Sequence, residues 1–236
     1  MGEHARYSPS AATRWLTCPG SIGLSESLKQ VQGSSPQAEE GTAAHWLFES
    51  FDTRRYAYQA PNGVVLTDEL VDTVRMSLAE MSRHISGKEF REIRLPTWEV
   101  LGLDTPDVWG TADVVALGDD RVWLVDFKYG KYPVSPENNH QLLTYAVGLL
   151  DLVGDAYEDF TLAILQPRSN HLWQQWDITL DDITNWAEKL RAYFAERPNH
   201  FQRGEHCFFC PAKNICGHRL FENETKERRT EFCESA

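Results

Sequence analysis

The 236-residue sequence has no run of about 18 or more apolar residues, the length that a transmembrane helix needs. Its opening residues, MGEHARYSPS, lack the basic stretch followed by an apolar one that marks a secretory signal. These two absences predict a cytoplasmic protein that does not contact a membrane and whose thiols are reduced.

Basic residues are scarce. The 23 lysines and arginines stand against 35 aspartates and glutamates, which gives a net charge of −12. Nucleic-acid-binding domains are usually basic, so the composition argues against a general nucleic-acid binder and leaves room only for a local basic groove. The GxxxxGK[ST] motif is missing, so the sequence predicts no helicase motor. The excess of carboxylates suits a divalent-cation site.

Hydrophobic periodicity predicts an α/β fold with a mixed central sheet. Apolar residues recur at helical spacing in five segments: 8–18, 41–58, 67–85, 137–153 and 180–197. Strands are predicted at 89–100, 108–118, 121–130, 159–168 and 172–179. The stretch 31–41 is polar and rich in Gly, Ser and Pro, and is expected to be a loop.

The stretch VWLVDFKYGK, which begins at Val122, carries two charges inside an apolar run. Asp126 and Lys128 are two residues apart, so they point to the same face of a strand. A buried carboxylate is costly unless it is paired or binds a metal. The run therefore predicts either a buried ion pair or a functional site.

The preceding strand offers a second carboxylate. Residues 118–121 have the composition of a tight turn. If the two central aspartates form the loop, the numbers of paired residues add to 239 and Asp113 lies opposite Asp126, with Cβ atoms roughly 4.5–5.5 Å apart. A divalent cation between them would remove their repulsion. Two alternatives stay open: a three-residue loop that shifts the register, and an Asp126–Lys128 ion pair with Asp113 in solvent.

Two predicted helices add polar residues at helical spacing, His45 with Glu49 and Gln141 with Tyr145. In chain order, these residues and the hairpin resemble the motifs of the PD-(D/E)XK nuclease superfamily, and within it those of RecB-type nucleases. The matching pieces are Gly41-x-x-x-His45, Asp113 in GTADVV, Asp126-x-Lys128 and Gln141-x-x-x-Tyr145. The resemblance spans about residues 8–218.

The resemblance implies a restriction-endonuclease-like core, with a mixed sheet flanked by helices, that hydrolyses phosphodiester bonds with Mg²⁺ or Mn²⁺. The implied metal ligands are His45, Asp113, Asp126 and the carbonyl of Phe127. Lys128 would orient or deprotonate the attacking water, or neutralise developing charge. Gln141 and Tyr145 would contact the DNA backbone or support the site. The literal Pro106-Asp107 is an alternative for the first aspartate, although the GTAD context favours Asp113.

Five cysteines are present, and three of them form the compact pattern Cys207-x2-Cys210-x5-Cys216. In a protein with reduced thiols, such a pattern suggests a metal rather than a disulfide. In some RecB-type nucleases, among them AddB-type and CRISPR-associated exonucleases, one early cysteine joins three late ones around a [4Fe–4S] cluster. Cys18 is similar to that early cysteine. The alternatives are Zn²⁺, with Cys18, His206 or His218 as fourth ligand, and unligated thiols. Cys233 is expected to be free.

The chain is therefore predicted to be one nuclease domain, 1–236. Residues 8–40 form an N-terminal helix and loop with the first cluster cysteine. The PD-(D/E)XK core covers 41–200, the cluster segment 201–220 and a polar tail 221–236. The implied function is an exonuclease that processes DNA ends in phage or bacterial recombination or replication. Its implied partners are DNA ends or single strands and a single-strand annealing or recombination protein. The alternatives are a catalytically silent DNA- or partner-binding protein with a structural cluster, and a zinc-clipped structural protein.

Other residues are candidates for contacts with DNA. Trp15, Trp173 and Trp176 are considered as stacking platforms for single strands. Lys131, Arg168 and Arg14 are considered for contacts with the backbone.

Overall fold

The computed structural model describes residues 5–28 and 35–218. The helices in these ranges are α1 (Ala12–Thr17), α2 (Ser21–Glu26), α3 (Pro36–Glu49), α4 (Phe51–Arg54), α5 (Asp68–Met81), α6 (Thr97–Leu101), α7 (His140–Val153) and α8 (Leu180–Glu196). The strands are β1 (Lys88–Leu95), β2 (Gly110–Leu117), β3 (Arg121–Phe127), β4 (Asp159–Leu165) and β5 (Trp173–Thr179). Short 3₁₀ turns lie at Pro9–Ala11 and Glu205–Phe208. Within the described ranges, every helix is too short or too polar to span a bilayer.

The five strands form one mixed sheet in the order β1-β2-β3-β4-β5. Only β3 and β4 run parallel, and helix α7 makes the crossover that a parallel pair requires. The mixed α/β fold predicted from the sequence is thus confirmed. The predicted hairpin register is also correct, because Val114 pairs with Val125 and Leu117 with Val122.

Helices cover both faces of the sheet, which gives three layers and two cores. Helices α1, α6, α7 and α8 pack on one face around residues such as Trp15, Leu142 and Ile183. Helices α3 and α5 pack on the other face, where Phe48 and Met81 are buried. Strands β3 and β4 are covered on both sides, which explains why their sequences are almost continuously apolar.

Local signals account for several helix starts. The Thr67 side chain accepts a hydrogen bond from Leu70 N at the start of α5, and Thr179 forms a capping box with Asp182 at the start of α8. Two predictions were wrong. Helix α3 begins at Pro36, inside the expected loop, because Ser35 caps it and proline suits the first turn. Strand β1 ends at Leu95 before Pro96, and α6 follows where a strand was expected.

Candidate active site

Asp113 on β2 joins the helix layer to the hairpin. Its Oδ1 lies 3.1 Å from His45 Nδ1 on α3. Its Oδ2 accepts a hydrogen bond of 2.7 Å from the backbone N–H of Phe127 on β3. The Phe127 ring stacks on Phe48 at 4.4 Å and meets the His45 ring edge-on at 5.2 Å, so the second core holds the imidazole in place. The structure brings the predicted His45 and Asp113 together.

Glu92 on β1 is a third member that the sequence analysis missed. His45, Glu92 and Asp113 each offer one ligand atom, and these atoms lie within 4.8 Å of one another. Glu92 has φ +48°, a left-handed conformation that is uncommon for residues other than glycine and is often found at functional sites. Glu92 could be found only from the pairing of β1 with β2, and the long segment between these strands makes their register unpredictable from the sequence.

The pleat of the sheet inverts at this point. On β2, Ala112 belongs to the first core and Val114, two residues later, to the second, although such residues normally share a face. Strand β1 shows the same inversion around Glu92. Ile93 belongs to the first core, whereas the residue two positions before Ile93 packs on the other face of the sheet. Glu92 and Asp113 therefore lie where the strands change faces; Glu92 is exposed, whereas the Asp113 side chain is only 11% exposed.

Asp126, Lys128 and Gln141 form a closed triangle next to this group. Lys128 Nζ lies 2.8 Å from Asp126 Oδ2 and donates to Gln141 Oε1 at 3.0 Å. Gln141 Nε2 donates to Asp126 Oδ1 at 2.6 Å. Lys128 follows the last residue of β3 rather than lying inside the strand as expected. Both carboxylate oxygens of the buried Asp126 are thus engaged. His45, Glu92, Asp113, Asp126 and Lys128 are called the carboxylate centre below.

The electrostatics of the carboxylate centre favour a cation. Burial raises the pKa of Glu92 to about 7, and the neighbouring Asp113 adds to the effect. Burial also raises the pKa of Asp126, opposed by Lys128 and reinforced by Asp113. Burial lowers the pKa of His45, but Asp113 more than offsets this, so the net pKa is raised. Three carboxylates repel one another here, and a divalent cation would relieve that repulsion.

The other predicted site residues take supporting or separate positions. Tyr145 is buried, and burial raises its pKa well above its usual range. Its ring packs so closely on Gly110 that a Cβ there would lie 2.6 Å away. Tyr145 therefore supports β2, and its contact with a DNA backbone stays a prediction. Asp107 accepts a hydrogen bond from Thr105 at 2.9 Å in a loop near Tyr7, outside the carboxylate centre, so the literal Pro-Asp is not part of the site. The role of the Phe127 carbonyl as a ligand stays a prediction.

A second cluster lies between the N-terminal helices and the C-terminal segment. Its pocket is lined by four cysteines, called the cysteine pocket below: Cys18, Cys207, Cys210 and Cys216. The two parts of the chain are tied together because Gly20 N donates to His200 O at 2.9 Å. Gly20 lies against the Phe201 ring, where a Cβ would be 2.7 Å from the nearest ring atom, so a larger residue would require the ring to shift. His206 and His218 also line the pocket, whereas Cys233 lies outside the described residues.

A half-buried arginine lies next to Ser21, one of the residues that line the cysteine pocket. Arg14 donates to Ser21 Oγ at 3.0 Å and to Ser25 Oγ at 3.2 Å. Burial lowers its pKa, and the groups that oppose this shift are Cys210 and Cys18. Arg14 thus places a positive charge near the thiols of Cys18 and Cys210. Its contact with a DNA backbone stays a prediction.

A sequence profile of the family described as "Protein of unknown function (DUF2800)" matches residues 4–235. The chain belongs to the DUF2800 family. Among solved structures, this DUF2800 protein is similar to a "Putative exonuclease" from Eubacterium rectale, with 9% identity and a TM-score of 0.46 over 80% of this chain and 79% of that one. It is also similar to SSO0001, with 13% identity and a TM-score of 0.38 over 84% of this chain and 94% of that one.

The donor set of this DUF2800 protein fits Mg²⁺ or Mn²⁺. Carboxylate oxygens are the ligands that such hard cations prefer, and an imidazole is common beside them when the metal is Mn²⁺. Ligand atoms within 4.8 Å of one another can share one ion, since metal–ligand distances are about 2.0–2.6 Å. His45, Glu92 and Asp113 would hold the ion. Asp126 is a further carboxylate that interacts with Asp113 and is bonded in this conformation to Lys128 and Gln141.

Proposed function

We propose that this protein is a Mg²⁺- or Mn²⁺-dependent deoxyribonuclease, an exonuclease that hydrolyses phosphodiester bonds at DNA ends. The observation that carries the proposal is the convergence of His45, Glu92 and Asp113 beside the Asp126–Lys128 pair. A cation site next to a fixed ammonium group suits the attack of water on a phosphate. From the resemblance to RecB-type nucleases, we also propose that the protein acts in phage or bacterial recombination or replication. Its partner there would be a single-strand annealing or recombination protein.

Each residue of the carboxylate centre has a role in this proposal. His45, Glu92 and Asp113 hold the cation, which supplies Lewis acidity to the scissile phosphate and to water. Burial lowers the pKa of Lys128, but Asp126 raises it by more, so Lys128 keeps its proton at neutral pH. Lys128 then acts as a donor at Nζ that orients water and stabilises charge on the phosphate, rather than as a general base. Asp126 and Gln141 position that ammonium group.

We also propose that the cysteine pocket holds a [4Fe–4S] cluster with a structural role. Four thiolates are the ligand set that such a cluster needs, and Arg14 would balance its negative charge. Zn²⁺, with Cys18, His206 or His218 as the fourth ligand, is the alternative occupant of the same pocket.

The nuclease proposal is tested with anaerobically purified protein and end-labelled linear or closed circular DNA, in Mg²⁺, Mn²⁺ or EDTA. Asp113→Asn removes a ligand, whereas Asp107→Asn is a matched control in the literal Pro-Asp. We expect the wild-type protein to degrade linear DNA and not closed circular DNA. EDTA and Asp113→Asn should each abolish this degradation, whereas Asp107→Asn should leave it unchanged. Cleavage that survives Asp113→Asn would refute the assignment. Binding without cleavage by the wild-type protein would favour the silent DNA-binding alternative.

The cluster proposal has a separate optical test. A [4Fe–4S] protein absorbs near 400 nm, whereas a zinc protein does not, so a scan of the anaerobic protein with iron and zinc analysis separates the two. Iron together with absorbance supports the cluster. One equivalent of zinc in a colourless and fully folded protein would overturn it.

A further inference from the structure

Three aromatic side chains form an exposed group, called the aromatic patch here. The Tyr132 ring lies 6.2 Å from that of Phe208 and 6.3 Å from that of Phe209, and the two phenylalanine rings are 4.8 Å apart. Tyr132 is 70% exposed, Phe208 57% and Phe209 73%. Single exposed apolar residues are common, but rings that contact one another and all remain in solvent indicate a binding surface.

The aromatic patch joins the two candidate sites. Tyr132 lies four residues after Lys128, on the loop that leaves β3. Phe208 and Phe209 lie between Cys207 and Cys210, on the segment that lines the cysteine pocket. A ligand on the patch would therefore contact both the loop after β3 and the segment that lines the cysteine pocket.

A buried glutamine holds the Tyr132 loop in this position. Gln166, at the end of β4, is 1% exposed. Its Nε2 donates to Gly130 O and to Tyr132 O, both at 2.7 Å, and its Oε1 accepts from Val134 N at 3.0 Å. Three hydrogen bonds from one buried side chain fix the loop on both sides of Tyr132. The ring is thus presented to solvent by a built support rather than by an unstructured tip.

The surroundings of the patch are basic although the chain is acidic. Apart from Lys128, which is paired with Asp126, the two segments that form it carry three cationic side chains and one acidic side chain, while the whole chain has a net charge of −12. Lys131 is exposed beside Tyr132. Lys213 Nζ donates to Phe208 O at 3.1 Å and lies 5.6 Å from the centre of the Phe208 ring. This local reversal of charge suits a polyanion that also presents flat apolar groups.

We propose that the aromatic patch binds single-stranded DNA by base stacking, with the cationic rim contacting the phosphates. Bases stack on exposed aromatic rings with little regard to sequence, while basic grooves follow the backbone. In duplex DNA the base faces are occupied by their neighbours, so the patch selects an unpaired strand. This assignment rests on the proposed nuclease, because it leads a strand toward Lys128 and the metal ligands. It replaces the tryptophans considered above, since Trp15 is buried, Trp176 packs against the first core and the Trp173 ring stacks on His84 at 4.4 Å.

The test is a binding measurement that needs no cleavage. Full-length protein in EDTA is titrated into a fluorescein-labelled thymidine strand of about 12 nucleotides and into an abasic strand of equal length, followed by fluorescence anisotropy. We expect the abasic strand to bind at least tenfold more weakly. Phe209→Ala and Tyr132→Ala should each weaken binding of the thymidine strand about tenfold, a typical loss for one stacked base. Phe209→Trp should bind like the wild type.

Tyr56→Ala is the control, because Tyr56 is 82% exposed and lies on another part of the surface. Its binding should change less than twofold. Equal binding of the abasic and thymidine strands, full binding by the two alanine variants, or no binding by the wild type would each overturn the patch. Cleavage is measured separately on linear DNA. Cleavage without base-dependent binding would support the nuclease proposal and refute the patch proposal. Base-dependent binding without cleavage would support the patch proposal and refute the nuclease proposal.

Discussion

The carboxylate centre and the cysteine pocket are held together in different ways. In the carboxylate centre, side chains from three strands and helix α3 lie together, and Gln141 on α7 completes a triangle of contacts with Asp126 and Lys128. The cysteine pocket lies between short helices and a 3₁₀ turn, and its contacts across the chain include the Gly20–His200 bond and a long 3.4 Å bond from Gln202 N to Cys18 Sγ. One site is preformed by the sheet, and we propose that the other depends on a bound cluster.

This difference predicts how each site responds to the loss of its metal. The ion pair and hydrogen bonds of the carboxylate centre form without a cation, so metal removal should abolish activity and leave the fold intact. The cysteine pocket joins residue 18 to residue 207 and beyond, so a cluster there would close a very long loop. Loss of the cluster should therefore lower the free energy of unfolding.

The largest expected effect comes from Cys18→Ala. Loop-closure entropy for a link of this length is about 5 kcal/mol, which is comparable with the whole stability of many domains. We expect a fall of that order in the free energy of unfolding, measured by urea denaturation, together with loss of absorbance near 400 nm. Cys233→Ala is the matched control and should change neither. A brown, fully stable Cys18→Ala protein would show that Cys18 is not a ligand.

A smaller effect is expected from Lys128→Met, measured in EDTA so that no cation contributes. The substitution leaves the buried Asp126 without its ammonium partner, and such a break costs about 3 kcal/mol. Lys131→Met makes the same change at an exposed lysine three residues later and should cost less than about 0.5 kcal/mol. Equal stability of the two variants would mean that the carboxylate centre is not preformed without metal.

Gly20→Ala tests whether the cysteine pocket depends on the close approach of its two segments. The new methyl group meets the Phe201 ring and should cost about 1 kcal/mol, and it should also lower the iron content per chain. Gly23→Ala on α2 is the control, since a Cβ there meets nothing within 4 Å and alanine favours helix. Urea denaturation and iron analysis of both variants give the result. Full iron loading and wild-type stability in Gly20→Ala would show that the two segments need not approach closely.

The features that could be predicted from the sequence are those with local causes. The register that brings Asp113 toward Asp126 follows from the turn at 118–121, because a two-residue loop determines all later pairs. The positions of Lys128 and Gln141 follow from spacing along a strand end and a helix. Four motifs in chain order were enough to identify most of the carboxylate centre.

The features that could not be predicted depend on long-range packing. Glu92 joins the site through an inverted pleat and a positive φ, neither of which leaves a residue pattern. Aromatic content alone does not separate buried rings from exposed ones, so Trp15 was considered as a platform although the fold buries it. Tyr132 and Phe209 meet only because the cysteine segment returns to the loop after β3. Each of these contacts joins residues that are far apart in the chain.

The smallest expected effect is a pH dependence that belongs to the carboxylate centre alone. In the metal-free protein, burial and Asp113 raise the pKa of Glu92 to about 7 from an ordinary value of 4.5. The folded state therefore holds this proton more tightly than the unfolded chain. The stabilisation is fully present below pH 4.5 and is lost as the pH rises to about 7.

Glu92→Gln cannot titrate, so the difference in free energy of unfolding between wild type and variant isolates this contribution. In EDTA, the wild type should lose stability relative to Glu92→Gln across that window, modestly because Glu92 is partly exposed and its charge is screened. Addition of Mn²⁺ at pH 8 should restore the wild type more than the variant, since a cation then takes the place of the proton. A difference that stays flat with pH and with Mn²⁺ would remove Glu92 from the carboxylate centre, and with it the third ligand of the proposed metal site.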